Sequence, residues 1–296
     1  MRSVPKEFAD VTRKGGGVGE WIWKGDPHAR ASVDWVVRNP EGEMPLRHVV
    51  EFSSFEQRFR LDDERVEDAE ANDGKKVFSY YDGLGKGEPV VSYVSDPGGG
   101  RRCAEAPIRR HDSSIVGQLK DPLSLPELAW LGQSYEKIRI YREWVFGRGG
   151  VFREPQKADM RNDVLEEDFS NLGLYLSKLR KTPSAKRAII DGLQDLYDGL
   201  TDFDVVAEGG TVQVFFTEGD FVIPATRLSD GTLHYLCLLA ILCDPAPPPL
   251  ICICIEEPEL GLHPDILPSV ADLLMAASER TQIIVTTHSR RGVREE

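Results

Sequence analysis

The sequence lacks several features that would sort it quickly into a class. No apolar run is longer than Tyr235 to Cys243, far too short to span a bilayer, so no membrane segment is expected. The N-terminus, Met1-Arg2-Ser3-Val4-Pro5-Lys6, has no apolar core of a secretory signal. There are only five cysteines, an odd number, and their spacing fits no zinc pattern. Cys237, Cys252 and Cys254 lie within apolar stretches, where they read as buried thiols of a reducing, cytoplasmic compartment. Basic charge is in deficit as well. Lys plus Arg is 36 against 49 for Asp plus Glu, a formal charge of −13, which excludes a bulk polyanion binder. A local basic cluster at Arg101, Arg102, Arg109 and Arg110 reads first as a solvated loop.

What is present is the composition of a globular chain of one large or two modest domains: 296 residues, 41% hydrophobic and 29% charged. The first 27 residues are Gly-rich, yet Trp21 and Trp23 suggest a packed segment. From Ala29 to Asp96 the apolar residues alternate (Ala31, Val33, Trp35, Val37; then Leu46, His48, Val50, Phe52), with turns at Asn39-Pro40-Glu41-Gly42, Asn72-Asp73-Gly74 and Asp82-Gly83. This pattern predicts an antiparallel meander with one wet face. Beyond Asp121 the period becomes helical, with Leu123–Trp130 a short helix and Lys137–Val145 a candidate strand. Leu172, Leu176, Leu179 and then Ile189, Leu193, Leu196 repeat at helical spacing, with caps offered within Asp168–Asn171. Thr211–Phe216 and Phe221–Ile223 read as a hairpin.

The last third reads as α/β. Thr232–Leu242 is apolar all round, a buried helix. After a proline connector (Pro245, Pro247, Pro248, Pro249), Leu250–Ile255 reads as a strand buried on both faces of a parallel sheet. A helix over Ile266–Ser278, capped by Asp265 with Pro268 in its first turn, leads to a second buried strand at Gln282–Thr287. Strand, helix and strand make a βαβ unit.

Three features carry chemistry. Glu256 and Glu257 leave the C-terminal end of the apolar strand together, the end at which α/β sheets bind ligands. One carboxylate there suits Mg²⁺ and its neighbour can polarise water; an acidic loop closing a strand is the plainer alternative. Leu228-Ser229-Asp230-Gly231-Thr232 precedes the buried helix, and a helix N-terminus opened by Ser229 and Gly231 is an anion site, although Ser-Asp-Gly is also a common turn. Thr286-Thr287-His288-Ser289 ends the second strand and places His288 on the sheet edge of Glu257, where a lone histidine is more often structural.

In this order the three segments resemble the second half of an ABC-type ATPase head, as in SMC-like, RecF-like and OLD-like AAA ATPases. Leu-Ser-Asp-Gly-Thr looks like the signature motif and Ile-Glu-Glu-Pro-Glu like Walker B. Gly261-Leu262-His263-Pro264 looks like the D-loop, and Thr-Thr-His-Ser like the switch histidine. The match is dense over Ala225–Ser289. The resemblance implies an incomplete ABC-type head of α/β class: a β lobe at 1–120, a helical lobe at 121–204 and an ATPase half at 205–296. It further implies ATP and Mg²⁺, with Glu257 and His288 catalytic and Glu256 serving the metal. Ser229 and Gly231 would contact ATP held by the other head of a dimer. Implied partners are a second copy or another ATPase or nuclease subunit, and DNA, in repair or phage defence. Two departures stand out. Glu256 occupies a position where most relatives have Asp, and no Gly-x-x-x-x-Gly-Lys-Ser/Thr occurs; Gly83–Gly87 is a turn between strands. The chain is thus expected to begin just after a P-loop and to end short of a covering helix. This leaves open a catalytically inactive remnant or regulatory partner of another ATPase.

Overall fold

A computed structural model describes residues 1–6, 8–26, 29–39, 42, 44–71, 77–83, 88–95, 100–107, 112–145, 147, 149–245 and 252–289, without the side chain of Phe152. The turn expected at Asn72–Gly74, most of Gly83–Gly87, Pro40 and Glu41, Arg109 and Arg110, the prolines at 247–249, Leu250, Ile251 and the segment 290–296 lie outside the described residues. The chain divides into two units, Met1–Lys137 and Ile138–Glu296.

In the first unit, helix α1 (Phe8–Lys14) precedes six strands: β1 (Arg30–Val37), β2 (Leu46–Phe55), β3 (Arg58–Asp68), β4 (Ser79–Asp82), β5 (Val90–Val94) and β6 (Arg101–Glu105). They pair antiparallel in chain order, as the alternation predicts, with β6 added beyond the expected limit. Leu46, Val50, Phe52, Leu61, Val66, Tyr81 and Val91 fill its core. The β2–β3 hairpin turns on Glu56 and Gln57 at φ 49° and 61°, two consecutive left-handed residues of the kind a two-residue hairpin requires. Neither is glycine or asparagine, which hid the turn from the sequence. Short helices α2 (Ile115–Gln118) and α3 (Pro126–Glu136) complete the unit. The early tryptophans are not packed as expected: Trp21 is 49% and Trp23 74% exposed.

A polar chain runs through this core. Trp35 Nε1 donates to the Tyr135 hydroxyl. That hydroxyl lies 2.9 Å from His48 Nδ1, and His48 Nε2 lies 2.9 Å from Glu64 Oε1. Ser114 Oγ donates to the same oxygen, and the Ile115 N–H donates to Glu64 Oε2 at 2.8 Å. Every donor finds an acceptor if Tyr135 donates to a neutral, Nε2-protonated His48 and Glu64 is ionised.

The second unit contains β7 (Arg139–Tyr141), β8 (Gln156–Lys157), α4 (Leu172–Arg180), α5 (Pro183–Leu196), β9 (Leu200–Glu208), β10 (Thr211–Glu218), β11 (Phe221–Pro224), α6 (Asp230–Leu242), β12 (Cys252–Glu256), α7 (Leu267–Ser278) and β13 (Gln282–Thr286). Helix α6 is buried on every side from Leu233 to Leu242, and α4, α5 and the sheet of β8–β11 join its core. Helices α4 and α5 thus share one core with α6 and do not form a lobe of their own, whereas α2 and α3 belong to the first unit. Asn171 sits at the N-cap of α4 without capping it; its amide instead ties the loop at Arg161, Val164 and Glu166.

Strands β12 and β13 are parallel, joined through α7, and β7 pairs parallel on the other side of β12. This is the expected βαβ unit. A short 3₁₀ turn at Pro264–Ile266, capped by His263, precedes α7, and α7 itself has no side-chain cap from Asp265. Ile253, Ile255 and Ile283 face the core, but Ile284 is 50% exposed and Cys254 half-buried. On that face Cys252 is buried, whereas Gln282, Ile284 and Thr286 of β13 are exposed, which corrects the expectation of a fully buried second strand. No helix is long and apolar enough to cross a membrane.

Candidate functional site

Strand β12 delivers Glu256 and Glu257 to the C-terminal end of the parallel sheet. Glu256 is exposed, and its backbone oxygen accepts from Trp144 Nε1 at 2.7 Å. At Glu257 the chain turns with φ 46°, a left-handed conformation that a branched or long side chain adopts at a cost of about 1–2 kcal/mol. The turn is held from both sides. The Glu257 N–H donates to Thr286 O at 2.8 Å, extending the β12–β13 ladder by one bond, and the Leu260 N–H donates to Glu257 O at 3.0 Å. This twist carries the Glu257 carboxylate to His288, Oε1 to Nε2 3.3 Å. Both groups are open to solvent, with side chains 41% and 89% exposed, so their pairing contributes little stability.

Glu259 is bound into the same corner. Its Oε1 accepts from Thr287 Oγ1 (2.6 Å), the His288 N–H (2.8 Å) and the Ser289 N–H (3.2 Å). Burial pushes this carboxyl up, but those donors outweigh it and hold it below the usual carboxylate value.

The start of α6 is the second part. Ser229 caps it, accepting the Thr232 N–H at 3.1 Å. Asp230 Oδ1 accepts from the Gly147 N–H at 3.1 Å and from Arg153. Arg153 also donates to Thr226 O (2.5 Å) and Leu228 O (2.7 Å), so one guanidinium fastens the loop to the helix start. A Cβ on Gly231 would stand 3.0 Å from Gly261 O, so the helix N-terminus is packed closely against the turn after β12. One turn further into α6, His234 Nδ1 lies 2.6 Å from Leu260 O, which requires that nitrogen to carry the proton. Burial pushes the His234 imidazole down to about 4, so it is neutral at pH 7. The Trp144 ring lies 4.1 Å from the His234 ring.

Of the residues singled out in the sequence, Glu257 and His288 meet directly, Gly231 abuts the turn at Gly261, and Ser229 is the helix cap. Glu256 points to solvent. Three contributors were missed: Trp144, Arg153 and Glu259. Glu259 stood inside the quoted Ile-Glu-Glu-Pro-Glu run, but no local signal marks its reach to Thr287–Ser289. Trp144 and Arg153 act across the fold from far upstream.

Carboxylates of Glu256 and Glu257 are hard oxygen donors suited to Mg²⁺, which takes one or two carboxylates and completes its shell with water and phosphate. No group of three or more candidate ligands forms a dedicated metal cage among the described residues.

Residues 146–291 match the family described as "AAA domain, putative AbiEii toxin, Type IV TA system". No curated protein matches the chain. Similar solved structures include an Smc head bound to the C-winged helix domain of ScpA (11% identity, TM-score 0.38, covering 84% of this chain and 69% of that one). Another is the SMC head domain from Thermotoga maritima (13% identity, TM-score 0.31, 83% and 65%).

Proposed function

We infer, from the match of residues 146–291 to an AAA-domain family, that this chain supplies one half of an ATP-hydrolysing site. The observation that carries the reading is the Glu257–His288 corner: a carboxylate turned out of a parallel strand by a left-handed residue and set 3.3 Å from an exposed imidazole. In this reading Glu257 polarises the attacking water and takes up its proton, while His288 approaches the γ-phosphate. Mg²⁺, when bound beside Glu256, supplies charge neutralisation of the phosphates. Ser229 and Gly231 present the N-terminus of α6 to phosphates held by a second head, so that ATP is sandwiched head to tail. The cycle would serve DNA repair or phage defence in the cytoplasm, a setting consistent with five free cysteines.

A second reading rests on one observation: the sequence holds no P-loop motif, and a P-loop provides most of the phosphate contacts in such sites. In that reading the chain is a regulatory partner that closes the site of another ATPase subunit. Light scattering with Mg²⁺ and ATP, in the presence of a P-loop-bearing chain, tests the proposal. Glu257→Gln should trap ATP and hold the associated species, and Ser229→Ala should weaken it. Association indifferent to ATP and to both substitutions would refute a shared nucleotide site.

A further inference from the structure

The ATPase reading assigns work to Glu257 and His288 but leaves unexplained what keeps an 89% exposed histidine facing its carboxylate. An exposed imidazole on a strand end samples several rotamers and backbone positions unless its main chain is fixed. Here the main chain is fixed by one group. Glu259 Oε1 collects three donors from three consecutive residues, Thr287, His288 and Ser289. Thr287 Oγ1 in turn accepts from the Ser289 N–H at 2.9 Å, which closes the turn on itself. A carboxylate gathering backbone N–H groups is a charge-assisted arrangement, stronger than neutral hydrogen bonds. The turn that carries Glu259, residues 257–261, is attached at its two ends as well. Glu257 N–H binds β13 through Thr286 O, Leu260 O meets His234 of α6, and Gly261 O lies against Gly231.

We propose that Glu259 is a positioning residue that pins the Thr287–Ser289 turn, so that His288 is presented to Glu257, and that the 257–261 turn joins this pair to the N-terminus of α6. The proposal rests on the ATPase reading for its purpose but not for its test. Glu259 touches no reacting atom; it acts through His288. Movement of the α6 N-terminus against Gly261 and Leu260 would reach the Glu257–His288 pair through the two ends of this one turn.

The test uses the full chain without nucleotide. Amide hydrogen exchange at His288 and Ser289 should be slow in the wild type and at least about 10-fold faster in Glu259→Ala, as expected for loss of hydrogen bonds to a charged acceptor. Glu259→Gln keeps an acceptor oxygen without the charge and should fall between the two. The second readout is specific to positioning. In the wild type Glu257→Gln should move the His288 ring ¹⁵N resonances, because the two groups are in contact. In the Glu259→Ala background the same substitution should leave them unmoved. If Glu259→Ala fails to fold, Thr287→Val removes one of the donors and should reduce the response to Glu257→Gln. Unchanged exchange at both amides, or a Glu257→Gln response of equal size with and without Glu259, would overturn the proposal. Neither readout involves ATP, so failure of this inference and failure of the ATPase reading are distinguishable.

Discussion

Replacing Glu64 with alanine should be among the most damaging single changes in the first unit. Glu64 is 2% exposed and accepts from three groups that are equally buried: His48 Nε2, Ser114 Oγ and the Ile115 N–H. Alanine removes the acceptor of all three at once. A buried donor left without a partner costs about 1–3 kcal/mol, and breaking a buried charged network typically costs about 3–5 kcal/mol. Partial entry of water into the space left by the side chain offsets some of this, so the expected loss is about 3–5 kcal/mol. The loss is also directional. His48 Nε2 loses its acceptor while Nδ1 still accepts from Tyr135, so the imidazole cannot repair itself by moving its proton without disturbing the Tyr135–Trp35 link. Because the chain has two units, a single global melt would blur the effect. Native-state exchange of the Ile115 amide, whose hydrogen bond ends on Glu64, reads it locally. The amide should lose on the order of 100-fold protection or more. Protection within about 5-fold of wild type, with the fold intact, would show that the network is not the clamp described and would refute the donor–acceptor assignment.

Acid should weaken the second unit through His234. Burial sets its folded value at about 4, below the ordinary 6.5, so the unfolded chain binds the extra proton first; the associated stability is complete above about pH 6.5 and drains as pH falls toward about 4. The size is about 3 kcal/mol, and denaturant midpoints across that window should flatten in His234→Asn. Gly132→Ala should destabilise the α2–α3 pair by about 1–3 kcal/mol, because its Cβ would stand 2.8 Å from the backbone oxygen of Val116; unchanged exchange protection of the α3 amides would contradict that packing. All five cysteines should react in a thiol titration under denaturing, non-reducing conditions. Cys252 and Cys254 stand with sulfurs 3.8 Å apart on one face of β12, and a count of three would show that they bridge.

Much of this architecture was legible because period is a strong signal. Alternation gave the meander of the first unit, and an all-apolar stretch gave α6. The Glu256-Glu257 and Thr286-Thr287-His288 endings could be placed on one sheet edge because two apolar strands joined by a helix must run parallel. What escaped was long-range or locally unmarked. Glu56 and Gln57 form a tight turn without turn residues. An all-apolar strand implies cover on both faces, yet Ile284 is half exposed and Cys254 half-buried. Asp265 was the expected cap of α7, but a 3₁₀ turn capped by His263 precedes the helix, and Ile266 at the N-cap of α7 offers no side-chain acceptor. In the candidate site, the strand ends already placed Glu257 and His288 on one sheet edge, whereas the contacts of Trp144, Arg153 and Glu259 are tertiary and no spacing reveals them.

In the proposed site Glu257 activates water for ATP hydrolysis while a P-loop-bearing chain holds the phosphates. The direct measurement is steady-state phosphate release in the presence of a P-loop-bearing chain, wild type against Glu257→Gln, with bound nucleotide quantified in parallel. The account predicts turnover reduced by about 100-fold or more with ATP retained, since the carboxamide keeps the shape but cannot take the proton. Turnover at the wild-type rate in Glu257→Gln, or robust turnover by the 296-residue chain with no P-loop partner, would contradict it.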